Sequence, residues 1–292
     1  MTVEELPVVF SCQSEQLIGF IHKPDHASET GILIVVGGPQ YRVGSHRQFV
    51  LLARVLADKG IPVMRFDYRG MGDSEGPIRS FSNIDEDIKV AVDTFSNSVP
   101  DLTGVVIWGL CDAASAASFY AYQDERIKGL VLLNPWVFTE QGAAKTYLKY
   151  YYLQRLSNPE LWRKVFTLQF DYRQSFFSIV SLVKNILESK DSQNESAISE
   201  EVSLVDSSLA LPERVRECLH RFEYPVLIVL SGKDLTADEF REVVKSDEKW
   251  QHLFESSSVS KVELEESDHT FSSQKWRDEV AQLTLQWLNQ LQ

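Results

Sequence analysis

Residues 31–135 alternate short, β-rich and mostly apolar runs with segments of helical period, and that rhythm constrains the fold more than any other feature. GILIVV (31–36), PVMRFD (62–67), GVVIW (104–108) and GLVLLNP (129–135) are runs of the kind that form strands buried on both faces. Between them stand FVLLARVLADKG, IDEDIKVAVDTFSNSV and AASAASFYAY, which read as helices. The first is closed by Gly60, and the second is acidic in its first turn, as the helix dipole favours. Strand, crossover helix, strand is the pattern of a mostly parallel central sheet flanked by helices. Ahead of it, PVVFSC and QLIGFIHKP predict an antiparallel hairpin at a sheet edge. The rhythm resumes with YPVLIVLSGKD, the acidic helix TADEFREVVKSDEKW, the strand VSKVELEE and a closing helix WRDEVAQLTLQWLNQL.

Residues 136–223 break the pattern. They are helical and aromatic in character, including YLKYYYLQRL, and then serine-rich and acidic over 189–210, which reads as a mobile loop. The expected organisation is a core of 1–135 and 224–292 carrying a helical cap insertion at 136–223. A length of 292 residues suits that plan, because single cores stop growing at about 250–300 residues.

Charge narrows the partners. With 29 basic against 42 acidic residues the formal charge is −13, which argues against binding nucleic acid or an acidic membrane through a basic face. The opening MTVEELPVVFSCQSEQ has no basic stretch followed by an apolar one, and no apolar run approaches the roughly 20 residues of a membrane span. The expectation is a cytoplasmic protein. Three cysteines, Cys12, Cys111 and Cys218, do not make a disulfide framework. Neither CxxC nor HExxH occurs, so no metal is indicated.

The chemistry concentrates at VVIWGLCDAAS, where G-L-C-D-A lies between a buried strand and an alanine-rich helix. A sharp strand-to-helix turn holds its central residue at the sheet's carboxyl end and demands small neighbours, here Gly109 and Ala113. The motif resembles the G-x-S-x-G nucleophile elbow of the α/β-hydrolase superfamily, with Cys111 where serine usually stands and alanine for the last glycine. That resemblance implies an α/β-hydrolase fold, no cofactor, and a nucleophile, acid and histidine in that chain order. Asp234, after the strand VLIVLSG, and His269, after VELEE, then become the acid and the base. Asp238 falls inside the next helix pattern and is the weaker acid, while Asp268 is adjacent to the histidine and is expected to point elsewhere.

An acyl intermediate needs donors for its oxyanion, and in such elbows the residue after the nucleophile gives one backbone N–H, here Asp112. The second is expected from Gly37-Gly38-Pro39-Gln40, a segment similar to the oxyanion loop of prolyl aminopeptidase-like hydrolases. Pro39 has no N–H, so Gly38 is the first choice and Gln40 the reserve. A carboxylate beside a thiol opposes its ionisation, so the Asp112 side chain is expected to face polar groups or the cap rather than the sulfur. Gln40, Arg42, His46 and Trp136 are placed at the mouth of the site as candidate substrate contacts, although for His46 and Arg42 a helix-capping surface loop is the plainer reading. RFDYRGMGDSEG (65–76) is similar to a D-x-R-G-x-G-x-S-x-G run of many α/β-hydrolases and is read as structural.

VVGGPQYRVGSHRQF, RFDYRGMGDSEG, GLCDAAS and SGKDLTADEF together resemble the exosortase A system-associated hydrolase 1 family of bacteria. That family accompanies exopolysaccharide production and protein sorting, and the resemblance names no substrate. Three activities stay open: hydrolysis of an ester, thioester or lactone through an acyl-cysteine, acyl transfer on the same residues, and ligand binding without turnover. The substrate expected is a small acyl compound, and the oligomeric state is left open.

Overall fold

The computed structural model describes residues 2–38, 40–138 and 204–291. Two compact units divide the chain, Met1–Val137 with Val205–Gln292, and Phe138–Leu204. The aromatic run 147–156 and most of the serine-rich segment 189–210 lie outside the described residues. The first unit carries β1 (Val3–Cys12), β2 (Glu15–Pro24), β3 (Thr30–Val35), α1 (Gln48–Asp58), β4 (Val63–Phe66), α2 (Asp85–Ser98), β5 (Gly104–Leu110), α3 (Asp112–Ala121) and β6 (Ile127–Leu133). Beyond the second unit follow α4 (Leu211–Arg221), β7 (Val226–Lys233), α5 (Leu235–Ser246), α6 (Glu248–Phe254), β8 (Val259–Asp268) and α7 (Gln274–Leu291).

The eight strands form one sheet in the order β1-β2-β4-β3-β5-β6-β7-β8. β1 and β2 are the expected antiparallel hairpin, β2 pairs antiparallel with β4, and the remaining pairs are parallel. β5 shows why continuous apolar runs mark central strands, since all seven of its residues are buried. Val106, Trp108 and Leu110 face α1 and α7, while Val105 and Ile107 face the layer of α2, α3 and α4. α1 buries Phe49, Leu52, Ala53 and Leu56, one stripe at helical spacing, and ends where Gly60 takes φ 87°. Full burial of each large apolar side chain there stabilises by about 1.5–3 kcal/mol.

Two expectations change. Residues 205–223, assigned to the insertion on composition, lie in the core unit, because α4 buries Val215, Cys218 and Leu219 in the same apolar cluster as α3. The acidic helix after β7 is two helices, broken at Asp247, whose carboxylate accepts the Lys249 N–H at 2.8 Å and so caps α6.

Candidate active site

From β3 the chain runs through α1 to β4 on one side, while β5 pairs on the other. In an open α/β sheet such a reversal leaves a crevice beyond the strands' carboxyl ends. The loop after β3 carries Gly37 and Gly38, and the turn after β5 carries Cys111 and Asp112. β6, β7 and β8, laid down in sequence beside β5, bring Asn134, Asp234 and His269 to the same edge.

Cys111 sits directly before α3 with φ 64° and ψ −125°, a backbone conformation that costs a non-glycine residue about 1–3 kcal/mol. It persists because its surroundings over-determine it. The Cys111 N–H donates to the Leu133 carbonyl at 2.9 Å, and its carbonyl accepts from Ala114 at 3.1 Å and Trp136 at 3.2 Å. A Cβ on Gly109 would stand 2.7 Å from the Ala113 carbonyl, so only glycine lets the strand turn so tightly into the helix. Of the three cysteines Cys111 alone is partly exposed. Burial raises the thiol of Cys12, and raises that of Cys218 to about 12.

His269 Nδ1 lies 2.9 Å from Asp234 Oδ2, and the ring is near enough to Cys111 for the sulfur to favour its protonation. The Asp234 side chain is only 7% exposed, and its two oxygens accept the Thr236 and Ala237 N–H groups at 3.2 Å each, which caps α5. A carboxylate so held is fixed in direction. The bond to Asp234, followed by the nearby Cys111, holds the imidazole up at about 10 against the opposing effect of burial.

Sequence reasoning missed Asn134. Wholly buried and at φ 43°, its side chain donates to Ser231 Oγ at 2.9 Å and to the His269 carbonyl at 3.1 Å, and accepts the Ser231 N–H at 2.8 Å. Ser231 Oγ in turn donates to the Asp268 carbonyl at 2.9 Å. One amide thus pins the ends of β6, β7 and β8 together. A polar residue closing the apolar run GLVLLNP was the only signal.

Asp112 turns toward the loop after β3. The Gly38 N–H donates to its Oδ2 at 3.0 Å. Its Oδ1 is buried without a hydrogen bond of normal geometry and packs where a Cβ on Gly37 would come within 2.1 Å. Burial raises the Asp112 carboxyl above its usual range, against the lowering pull of the N–H groups of Gly38, Ala113 and Asp112 itself and of His269.

The mouth residues are mostly committed elsewhere. Arg42, considered as a substrate-anion contact, is instead tied to Asp67 and, at 2.8 Å, to Asp73, with its N–H on Asp67 at 2.6 Å, so its charge is already neutralised. Gln40 accepts from Ser45 N–H at 3.2 Å and braces its own loop. His46 is exposed in a short turn with left-handed backbone at φ 51°. Trp136 is partly buried, its N–H on the Cys111 carbonyl. Asp238 pairs with Arg241 at 2.8 Å, and Asp268 accepts from Ser272. Around 65–76, Asp67 and Ser74 bond the local backbone, and a Cβ on Gly72 would collide with the Asp67 carboxylate at 2.2 Å. Among the described residues no group of three or more His, Cys, Asp or Glu could hold a metal ion, and no helix is long and apolar enough to cross a membrane.

Similar structures share this architecture. The esterase Pf2001 of Pyrococcus furiosus is 15% identical, with a TM-score of 0.64 over 99% of this chain and 91% of its own. Est1E of Butyrivibrio proteoclasticus, bound to ferulic acid, is 16% identical with a TM-score of 0.59 over 97% and 99%. The mouse alpha/beta hydrolase domain-containing protein 10 is 14% identical with a TM-score of 0.56, covering all of both chains. At such identities the likeness establishes the α/β-hydrolase fold. No curated protein matches the chain by sequence. The profile of one family spans residues 29–271, from the first strand of the parallel core to beyond His269, and the chain belongs to that α/β-hydrolase family, described as serine aminopeptidase, S33.

Proposed function

We propose that the protein is a hydrolase that cleaves an ester, thioester or lactone through an acyl-cysteine. The observation that supports this most is the His269–Asp234 pair at 2.9 Å beside Cys111, which stands on a strained strand-to-helix turn. The family's description names a serine enzyme, whereas the turn here holds a thiol.

The chemistry follows from these three residues. His269 takes the Cys111 proton, and the sulfur attacks the acyl carbon while the carbonyl π pair moves to oxygen. Asp234 fixes the ring through Nδ1 and stabilises the imidazolium. When the tetrahedral intermediate collapses, the bond to the leaving group breaks and the leaving group takes the proton from His269. Water then repeats the sequence, giving a proton to the ring, and the acid product departs with the thiol restored. The N–H groups of Gly38 and Asp112 are the proposed oxyanion donors.

Intact-protein mass spectrometry with p-nitrophenyl butyrate tests the reading. A butyryl adduct is expected on the wild type and not on Cys111→Ala, and adduct on neither overturns the proposal. Decay of the adduct in water, compared with decay in the presence of added alcohols and amines, separates hydrolysis from acyl transfer. The resemblance to the exosortase A system-associated family supports a bacterial setting alongside exopolysaccharide production and protein sorting.

A further inference from the structure

Resting on that reading, we propose that the Asp112 carboxylate is a built-in occupant of the oxyanion hole, which an acyl substrate must displace before Cys111 can be acylated. In the proposed reading two N–H groups serve the oxyanion, those of Gly38 and of Asp112. In this structure the first of them already serves a carboxylate. Gly38 donates to Asp112 Oδ2 at 3.0 Å, so the side chain of the residue after Cys111 reaches across to the loop after β3. Oδ1 is buried against Gly37 with no hydrogen bond of normal geometry, in space that a Cβ at Gly37 would invade.

A bound carboxylate resembles the acid product of ester cleavage, with two oxygens, delocalised charge and N–H donors. A substrate carbonyl oxygen is the weaker acceptor until it gains charge, so in the ground state it competes poorly for the same donors. The two oxygens cannot share the site, and a developing oxyanion beside a fixed carboxylate meets like charge. Asp112 thereby selects for substrates whose other contacts suffice to move it. Its side chain is a specificity device built from the residue whose main chain completes the hole.

The test compares wild type, Asp112→Asn and Asp112→Ala by the rate of butyryl adduct formation on Cys111. The expected order is Ala above Asn above wild type, with Ala at least about tenfold faster, since a charge-assisted hydrogen bond no longer has to be broken. A second arm uses butyrate against iodoacetamide labelling of Cys111. Butyrate is expected to protect Asp112→Ala at concentrations that leave the wild type unprotected. Equal or slower acylation of both variants with wild type still acylated, or equal butyrate protection of all three proteins, overturns the occupant and leaves the acyl-cysteine reading standing. Adduct on none of the three proteins removes both.

Discussion

His269 Nδ1 and Asp234 Oδ2 meet at 2.9 Å, and the same oxygen accepts the Ala237 N–H that opens α5. The carboxylate that orients the ring is therefore itself oriented by a helix terminus. The base inherits its direction from secondary structure rather than from a free side chain.

Asp234→Asn removes the larger of the two influences that hold the imidazole up at about 10. NMR titration of the ring is expected to find its pKa well below that value, moving toward the ordinary 6.5. Acylation should fall by about 10³–10⁴-fold. The sign for stability follows from the raised value. The His269 contribution is complete below pH 6.5 and is lost as pH rises through about 10, so the variant's deficit in urea unfolding should be largest below neutrality and shrink in alkali.

The three thiols should separate by reactivity. Iodoacetamide is expected to modify Cys111 in the native protein, while Cys12 and Cys218, buried with raised thiols, react only on unfolding. Peptide mapping after a timed pulse reads this directly, and native labelling of Cys218 at the Cys111 rate would contradict it.

Asn134→Ala cuts the ties among three strand ends and leaves the Ser231 N–H buried without a partner, a loss of about 1–3 kcal/mol. Displacing His269 should also slow acylation by about 10²-fold. Asn134→Asp can still accept from Ser231 but cannot donate to the His269 carbonyl. It should recover more stability than rate, a split that a purely structural residue would not produce.

Two glycine-to-alanine changes should fail for different reasons. At Gly109 the new methyl strikes α3 backbone at 2.7 Å, an overpacking expected to cost about 1–3 kcal/mol and to slow acylation with it. At Gly38 nothing lies within 4 Å, so the cost is the φ of 61° alone, about 1–2 kcal/mol. Chemical denaturation gives both numbers, and adduct kinetics show which disturbs the elbow.

His22 supplies a pH signature remote from the site. It is fully buried and accepts from Arg65 Nε at 3.0 Å, and burial, then the Arg65 charge, depresses it to about 4. Folding therefore resists its protonation. Stability held above pH 6.5 should be lost as pH falls toward about 4, on the order of 2–3 kcal/mol more in wild type than in His22→Gln.

The strands and most helices were legible because burial on both faces leaves a continuous apolar run, as in GVVIW, and because α1 spaces Phe49, Leu52, Ala53 and Leu56 on one stripe. Neighbouring strand ends follow from strand order, and the chain order implied by the resemblance to α/β-hydrolases pointed to Asp234 and His269 among them. What escaped depends on side-chain torsions and distant partners. Arg42 meets Asp67 across 25 residues, and Asp112 meets Gly38 across 74, contacts that no local pattern encodes. α4 was hidden differently. Its signal, Pro212 at the start and Val215, Cys218 and Leu219 on one face, was present but lay beyond a polar stretch that composition assigned to the insertion.

The core unit ends at Val137 and resumes at Val205. On the outgoing side the Trp136 N–H holds the Cys111 carbonyl and the Trp136 carbonyl accepts Ser115 Oγ at 2.5 Å, while on return the Val205 N–H donates to the Tyr122 hydroxyl at 2.9 Å. Both moorings belong to α3 or its ends, the element that presents the sulfur. The two chain ends that bound the core unit here are thus registered on the same helix that aims the thiol.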